Sequence, residues 1–334
     1  METPAYARVP DMRPVKREAS LEDFGDLMIL PEDKEPILGT GVRGALLEWL
    51  EEIWAEDELA GVGLTPRHRA LFHGAPGTGK TTLARHLAGR LGLPLLAVRP
   101  DKVVDMYLGA TGRTLGTLFD LARNAPLGEG PVVLFFDEFE ALGSKRVAGA
   151  RDAQREMNSV VGVLLQRIEA HQGLIIAATN HAAELDSAIW RRFDIHIKID
   201  TPGQRERELI IERYLLPFGL PPKALSALAL SCETSSPALL RQLCEGLKRN
   251  QVLGPKLGWP MGKEATLGRV LASVAPHPEL GKPRLWALGA ADQAVALLPW
   301  PLPGAGDKAA MAEDSRSRDP EQRDAAVVQM RRPS

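Results

Sequence analysis

Between residues 70 and 199 the chain alternates short apolar runs with longer stretches whose apolar positions recur every three or four residues. The runs are ALFHG (70–74), PLLAVR (94–99), PVVLFF (131–136), GLIIAAT (173–179) and IHIKI (195–199). Most are nearly continuous rather than alternating, as expected of strands buried on both faces of a parallel sheet. Between them, TTLARHLAGRL and QREMNSVVGVLLQRIEA have helical spacing. In the second, Met157, Val160, Val161, Leu164, Leu165 and Ile168 share one face. Strand–helix alternation predicts a doubly wound α/β domain over 31–200. Upstream, VRGALLEWLEEIWAEDE (42–58) predicts a single amphipathic helix. Leu21, Phe24, Leu27 and Met28 also have helical spacing, in a segment expected to dock on the domain.

TPGQ (201–204) marks a change of pattern. Beyond it RERELIIERYLLPF, PKALSALALSC and SPALLRQLCEGLKRN predict helices only, a small all-helical domain over 201–252. Residues 253–303 mix Pro and Gly with Trp259, Trp286 and Trp300, for which a buried structural role is expected. Residues 304–334 balance acids and bases with few large apolar side chains, the composition of a disordered tail, and 1–30 read as a partly disordered N-terminal extension.

Of the 334 residues 44% are hydrophobic and 25% charged, which is globular. The net charge of −2 supplies no overall basic field for nucleic acid or an anionic membrane. Two cysteines, Cys232 and Cys244, stand twelve apart with no CxxC pair. That argues against a disulfide scaffold or zinc knuckle and for a reducing, cytoplasmic setting. No apolar run approaches the roughly 20 residues of a membrane span, and the N-terminal charges are not followed by the apolar core of a secretory signal.

HGAPGTGKTT follows the first predicted strand and opens a helix. Gly74, Gly79, Lys80 and Thr81 match G-x-x-x-x-G-K-[ST] in the strand–turn–helix context that gives the motif its meaning. Along Gly74, Ala75, Pro76, Gly77, Thr78, Gly79, Lys80, Thr81 and Thr82, backbone N–H groups and a helix N-terminus can converge on phosphates. Lys80 would bridge the β and γ phosphates of ATP, and Thr81 would give an oxygen to Mg²⁺. One strand–helix excursion later, VVLFFDE delivers Asp137 and Glu138 to the carboxyl edge of the sheet. Asp137 is placed to hold Mg²⁺ in part through water, and Glu138 to orient and polarise an attacking water. Asn180 ends the next long strand, where its amide either touches the γ-phosphate or the water, or caps a turn. Arg191 and Arg192 stand side by side in WRRFD with no acid three or four residues upstream to pair with both. They are either a solvated loop end or a pair reaching for a charge on another chain.

In this order GAPGTGKT, LFFDE, ATN and LDSAIWRRFD resemble the Walker A, Walker B, sensor 1 and arginine-finger elements of the AAA+ ATPases, AAA clade. The likeness covers roughly 31–250, and LDSAIWRRF is most similar to the katanin, spastin and ESCRT-disassembly branch. It implies a P-loop core with a five-stranded parallel sheet and a helical lid, binding ATP and Mg²⁺ in a homo-oligomeric, hexameric ring. Arg191 and Arg192 would then touch ATP held by the neighbouring subunit, one as the finger. Tyr107, Leu108 and Gly109 resemble the pore loop with which such rings grip a protein or peptide substrate, and Lys145, Arg146 and Arg151 fall where a second pore loop would lie. Ala238 occupies the usual lid-sensor position, with Arg241 one turn on. Substrate choice would come from the segment around Phe24, the tail or a recruiting partner.

The resemblance implies an ATP-hydrolysing protein remodeller. A nucleic-acid motor or loader is disfavoured by the near-neutral charge and the aromatic pore loop. An ATP-gated scaffold is disfavoured by the presence of Glu138, and a P-loop kinase by the lack of any mark of an acceptor site.

Overall fold

The computed structural model describes residues 19–31, 35–103, 108–123, 131–143 and 151–304. Its strands are β1 (Gly25–Met28), β2 (Arg69–His73), β3 (Leu95–Val98), β4 (Val133–Phe136), β5 (Ile175–Thr179) and β6 (Ile195–Lys198). They form one sheet in the order β1-β3-β4-β5-β2-β6, with β2 to β6 mutually parallel. The five expected strands are therefore present.

The sixth, β1, pairs antiparallel with β3 and was not expected. Its segment read as a helix; instead Leu21–Asp23 form a single 3-10 turn and the chain then extends. One turn suffices to bury Leu21 and Phe24 together in the core. After it, the unpaired edge of β3 offers a ladder of backbone hydrogen bonds that an isolated four-residue helix could not match.

Side chains of the central strands divide strictly between two cores, which accounts for the continuous apolar runs. Leu71, Leu134, Phe136, Ile175 and Ala177 join one cluster, while Ala70, Phe72, Val133, Phe135, Ile176 and Ala178 join the other. The second is covered by α1 (Thr40–Trp54), through Leu46, Trp49 and Leu50, and by α3 (Lys80–Leu91). The single helix expected over 42–58 is broken at Ala55, and α2 (Glu56–Gly61) starts anew. Continuation would stack Glu52 over Glu56, whereas a fresh start puts Glu56, Asp57 and Glu58 in a first turn, where the helix dipole favours them. Next come α4 (Pro100–Val103), α5 (Leu108–Arg123), α6 (Glu140–Gly143), α7 (Arg151–Ala170) and α8 (Ser187–Trp190). Helices α5 and α7 cover the first cluster with Leu115, Leu118, Phe119, Leu164 and Ile168.

The remaining helices are α9 (Gln204–Leu215), α10 (Pro222–Ser231), α11 (Pro237–Leu253), α12 (Lys263–Ser273), α13 (Arg284–Leu288) and α14 (Gln293–Leu297). A third apolar cluster runs through all of them, joining Ile211, Leu228 and Leu243 to Leu267, Leu285, Trp286 and Val295. Buried Asp292 fastens the later helices to α10, accepting from Ser231 Oγ at 2.7 Å and from Arg284 Nε at 3.0 Å. The indole N–H of Trp286 donates to the Val274 carbonyl and that of Trp300 to the Met261 carbonyl, both at 2.6 Å. Trp259, expected to be buried, is instead exposed and lies under the Arg269 guanidinium at 5.2 Å, outside the third cluster. A bridging segment, residues 35–38, lends Ile37 to the third cluster and Leu38 to the second. Among the described residues, no helix is long and apolar enough to cross a membrane.

His171, just after α7, is 6% exposed, and neither ring nitrogen has a hydrogen-bond partner among the described residues. It packs edge-on against Phe119. Burial first, then the charges of Arg123 and His68, pushes its pKa down to about 4. The unfolded chain binds this proton near pH 6.5 and the folded chain only near 4. The neutral ring's contribution is thus complete above about pH 6.5 and is lost as the pH falls toward 4, at up to ~1.4 kcal/mol per pH unit. Urea unfolding of His171→Leu should show a shallower loss of stability between pH 6.5 and 4.5 than the unaltered chain. Parallel curves would mean that His171 does not titrate with folding.

Candidate nucleotide-binding site

Strand β2 ends at His73, and the chain turns through 74–79 before α3 opens at Lys80. Two glycines permit the turn. At Gly74, φ is +149° and a Cβ would collide with the Ile199 carbonyl oxygen. At Gly77, φ is +75° and a Cβ would stand 3.0 Å from Ser236 Oγ and 3.1 Å from Ala238 Cβ. Lys80 folds back over the turn, its ammonium donating to the carbonyls of Gly74 at 2.7 Å and Ala75 at 2.9 Å. Thr78 Oγ1 also donates to the Ala75 carbonyl, at 2.9 Å.

Lys80 is 6% exposed, and burial lowers its pKa against the opposing charges of Asp137 and Glu140. Among the described residues no carboxylate lies in ion-pair contact with it. A buried ammonium held only by neutral carbonyls is better satisfied by an anion. Thr81 Oγ1 donates to Asp137 Oδ2 at 2.6 Å. The hydroxyl and carboxylate expected at Mg²⁺ therefore already share one point, and this oxygen-only pair suits a hard cation.

Glu138 is exposed and sits at φ +48°, the one non-glycine residue with positive φ among the described residues. Such a backbone costs on the order of 1–3 kcal/mol. Its N–H donates to Asp137 Oδ1 at 3.1 Å, and Phe139 behind it is fully buried. The chain thus turns sharply enough to bury Phe139 and leave the Glu138 carboxyl in the open. At the tip of β5, the backbone N–H of Asn180 lies 3.4 Å from Glu140 Oε1, while its side-chain amide has no hydrogen bond among the described residues. An amide in that state is not capping a turn.

These groups line one cleft of about 350 Å³: Pro76, Gly77, Gly79, Lys80, Thr81, Thr82, Asp137, Glu138 and Asn180 on one side. Across it stand Tyr214 from α9 and Pro237, Ala238 and Arg241 from α11. Helix α11 is capped by Ser236, whose Oγ accepts from the Leu239 N–H at 3.2 Å, and its Ala238 N–H donates to the Gly77 carbonyl at 3.2 Å. Arg241 extends over the Tyr214 ring at 5.6 Å and donates from Nε to Glu245 Oε1 at 2.7 Å. Sequence reasoning missed Tyr214 and Pro237. Tyr214 is hidden in the ordinary helical spacing of α9, and no local motif marks either.

Arg191 and Arg192 are not in this cleft. Helix α8 is capped by Asp186, which accepts from the Ala188 N–H at 2.8 Å, and the two arginines follow its last residue, Trp190. The expectation that neither has a partner on this chain fails for Arg192, whose Nε lies 2.7 Å from Glu169 Oε1 on α7. That acid is 23 positions upstream, beyond the reach of a search along one helix. Arg191 is exposed and has no partner among the described residues. Tyr107, Lys145 and Arg146 lie outside the described residues. Leu108 and Gly109 begin α5, and Arg151 begins α7.

Residues 70–201 match the family model "ATPase family associated with various cellular activities (AAA)". An uncharacterized AAA family ATPase of Sinorhizobium fredii, y4kL, is 42% identical over 159 residues, 47% of this chain and 46% of that protein. The proteasome-activating nucleotidase of Methanopyrus kandleri is 31% identical over 233 residues, 65% of this chain and 52% of the relative. The chain thus spans about half the length of these two relatives. Its fold is that of the solved FIGL-1 AAA domain, with a TM-score of 0.59 at 21% identity, covering 75% of this chain and 86% of that one. Residues 70–201 thus carry an AAA-family domain.

Asp137→Asn keeps the size of the side chain while removing the charge that would face Mg²⁺. Calorimetric titration with ATP should show Mg²⁺ strengthening binding to the unaltered chain by roughly tenfold or more, and this gain should largely vanish in the variant. An undiminished Mg²⁺ effect would remove Asp137 from the metal site.

Proposed function

We propose that this chain hydrolyses ATP as one subunit of a hexameric ring and uses the cycle to remodel protein substrates drawn against a central pore loop. The observation that carries the ring is Arg191: an exposed cation without a hydrogen-bond or ion-pair partner among the described residues, outside its own cleft, beside a twin that is neutralised by Glu169. Its proposed partner is the γ-phosphate held by Lys80 and Thr81 of the next subunit, which makes Arg191 the finger and Arg192 its support. Within one cleft, the loop from Gly74 to Thr82 holds the phosphates and Lys80 offsets their charge. Mg²⁺, when bound through Thr81 and Asp137, neutralises charge developing between the β and γ phosphates. Glu138 takes hydrogen-bond hold of the attacking water and polarises it, with Asn180 fixing that water or the γ-phosphate.

The name of the Methanopyrus relative ties it to a proteasome, and a protein substrate for this chain is in keeping with that. Tyr107, Leu108 and Gly109 would contact the substrate, with a recruiting partner selecting it. Both cysteines are free and buried, which fits a reducing cytoplasm.

Glu138→Gln should retain ATP binding while turnover falls by about 10²–10⁴-fold, the usual weight of a positioned base. Turnover close to that of the unaltered protein would remove Glu138 from the mechanism. Arg191→Ala should also bind ATP but turn it over slowly, whereas Arg192→Ala should lose less. The reverse ranking would exchange their roles.

A further inference from the structure

The dipeptide Arg191-Arg192 is bracketed by two aromatic side chains, and each rests on a ring next in sequence to Glu138 or to the phosphate turn. Phe193, on the far side, meets Phe139 edge-on at 5.6 Å, and Phe139 directly follows Glu138. Trp190, on the near side, meets His73 at 5.3 Å and 64°, and His73 directly precedes Gly74 of the phosphate turn. The indole is also stacked on His196, with centroids 4.3 Å apart and planes 7° from parallel. His196 Nε2 lies 2.9 Å from the Trp190 carbonyl, so as an N–H donor it holds the same residue by backbone as well as by ring. Further back, Asp194 accepts from Arg69 Nε at 2.9 Å and Nη2 at 3.0 Å, and its own N–H donates to the Arg69 carbonyl. Both ends of the arginine turn are thereby tied to β2, the strand that ends in the phosphate loop.

We infer that Trp190 is a positioning residue for Arg191: held by ring contacts to both His73 and His196, it fixes where a subunit presents its arginine and joins that position to the phosphate loop of the same subunit. The inference rests on the ring reading above and adds a mechanical path to it. Among the described residues no hydrogen bond or ion pair holds the Arg191 side chain, so its placement depends on the backbone of Trp190 and Arg192. Arg192 is fixed by Glu169 and Trp190 by its two imidazoles. His73 abuts the Gly74 carbonyl that receives the Lys80 ammonium, so a shift of the loop on phosphate binding or release presses on the indole. Burial first, then the positive surroundings of His196 and Lys198, lowers the pKa of His73, with Asp200 opposing and Lys80 adding to the effect. That shift favours the neutral ring where His73 meets the indole. An arginine displaced by about 1 Å at a reacting phosphate forfeits up to ~10²-fold in rate.

The test uses mixed assemblies of full-length chains. A Lys80→Ala chain presents its arginine but holds no nucleotide, and an Arg191→Ala chain holds nucleotide but presents no arginine. Mixed, the two should recover ATP turnover that neither has alone. Adding Trp190→Ala to the Lys80→Ala chain should cut that recovery by roughly ten- to a hundredfold, while Trp190→Phe should restore most of it. Nucleotide affinity of the Arg191→Ala chain is unchanged throughout, because it carries no change at Trp190. If the first pair recovers nothing although mixing is confirmed by native mass spectrometry, the ring reading itself fails. If the pair recovers and Trp190→Ala leaves the recovery intact, the ring stands and the role of Trp190 is overturned. Should Trp190→Ala chains not assemble, His196→Ala, which strips the stacked face and keeps the indole, takes their place, and full recovery with it overturns the inference equally.

Discussion

One backbone hydrogen bond, from the Ala238 N–H at the start of α11 to the Gly77 carbonyl in the phosphate turn, sets the geometry on which the cleft depends. The sheet with its flanking helices and the helical C-terminal region each have an apolar core of their own. Residues 35–38 supply a second tie between them: Ile37 and Leu38 divide between two clusters, and Glu35 engages both Arg43 and, through its carbonyl, Arg213. A ligand in the cleft must touch both regions at once, because Gly77 and Ala238 meet at its floor. Phosphates that pull on the turn therefore pull on the first turn of α11. That is how binding energy at a few atoms can be spent on moving a whole helical unit.

Most of this was legible in the sequence where a local rule governs it. The strands are dictated by continuous apolar runs, the phosphate turn by its glycines and Lys80, and Asp137 and Glu138 by their place at the end of an apolar strand. What escaped depends on pairing over distance. Strand β1 has helical spacing and becomes extended because β3 offers it an edge. Glu169 and Arg192 meet across 23 positions. Tyr214 reaches the cleft only because α9 and α11 pack together, and Trp286 and Trp300 find their partners inside a cluster whose members lie far apart along the chain. Spacing rules speak for residues within a few turns of one another, and these contacts lie outside that range.

The site also shows where the fold accepts local cost. Glu138 is held in a backbone conformation that glycine would occupy more easily, and the burial of Phe139 among Phe136 and Phe193 offsets it. Among the described residues, buried Lys80 has no carboxylate in ion-pair contact. An ammonium so placed is a group whose environment improves when an anion enters the cleft. In the proposed ring Arg191 would stand in the same relation to a neighbour, exposed and unpaired among the described residues while Glu169 neutralises Arg192.

Strand β1 carries a consequence for handling the protein. It occupies the outer edge of the sheet with only four residues, and exposed Asp26 lies in the middle of them. Short, charged edge strands resist pairing with another molecule. The strand it covers, Leu95–Val98, is wholly apolar. A shortened form beginning after residue 31 would present that strand bare, a template for intermolecular sheet growth. Residues 25–28 thus work as a solubility cover for the AAA domain, and trimming them to tidy an expression product would leave a sticky edge.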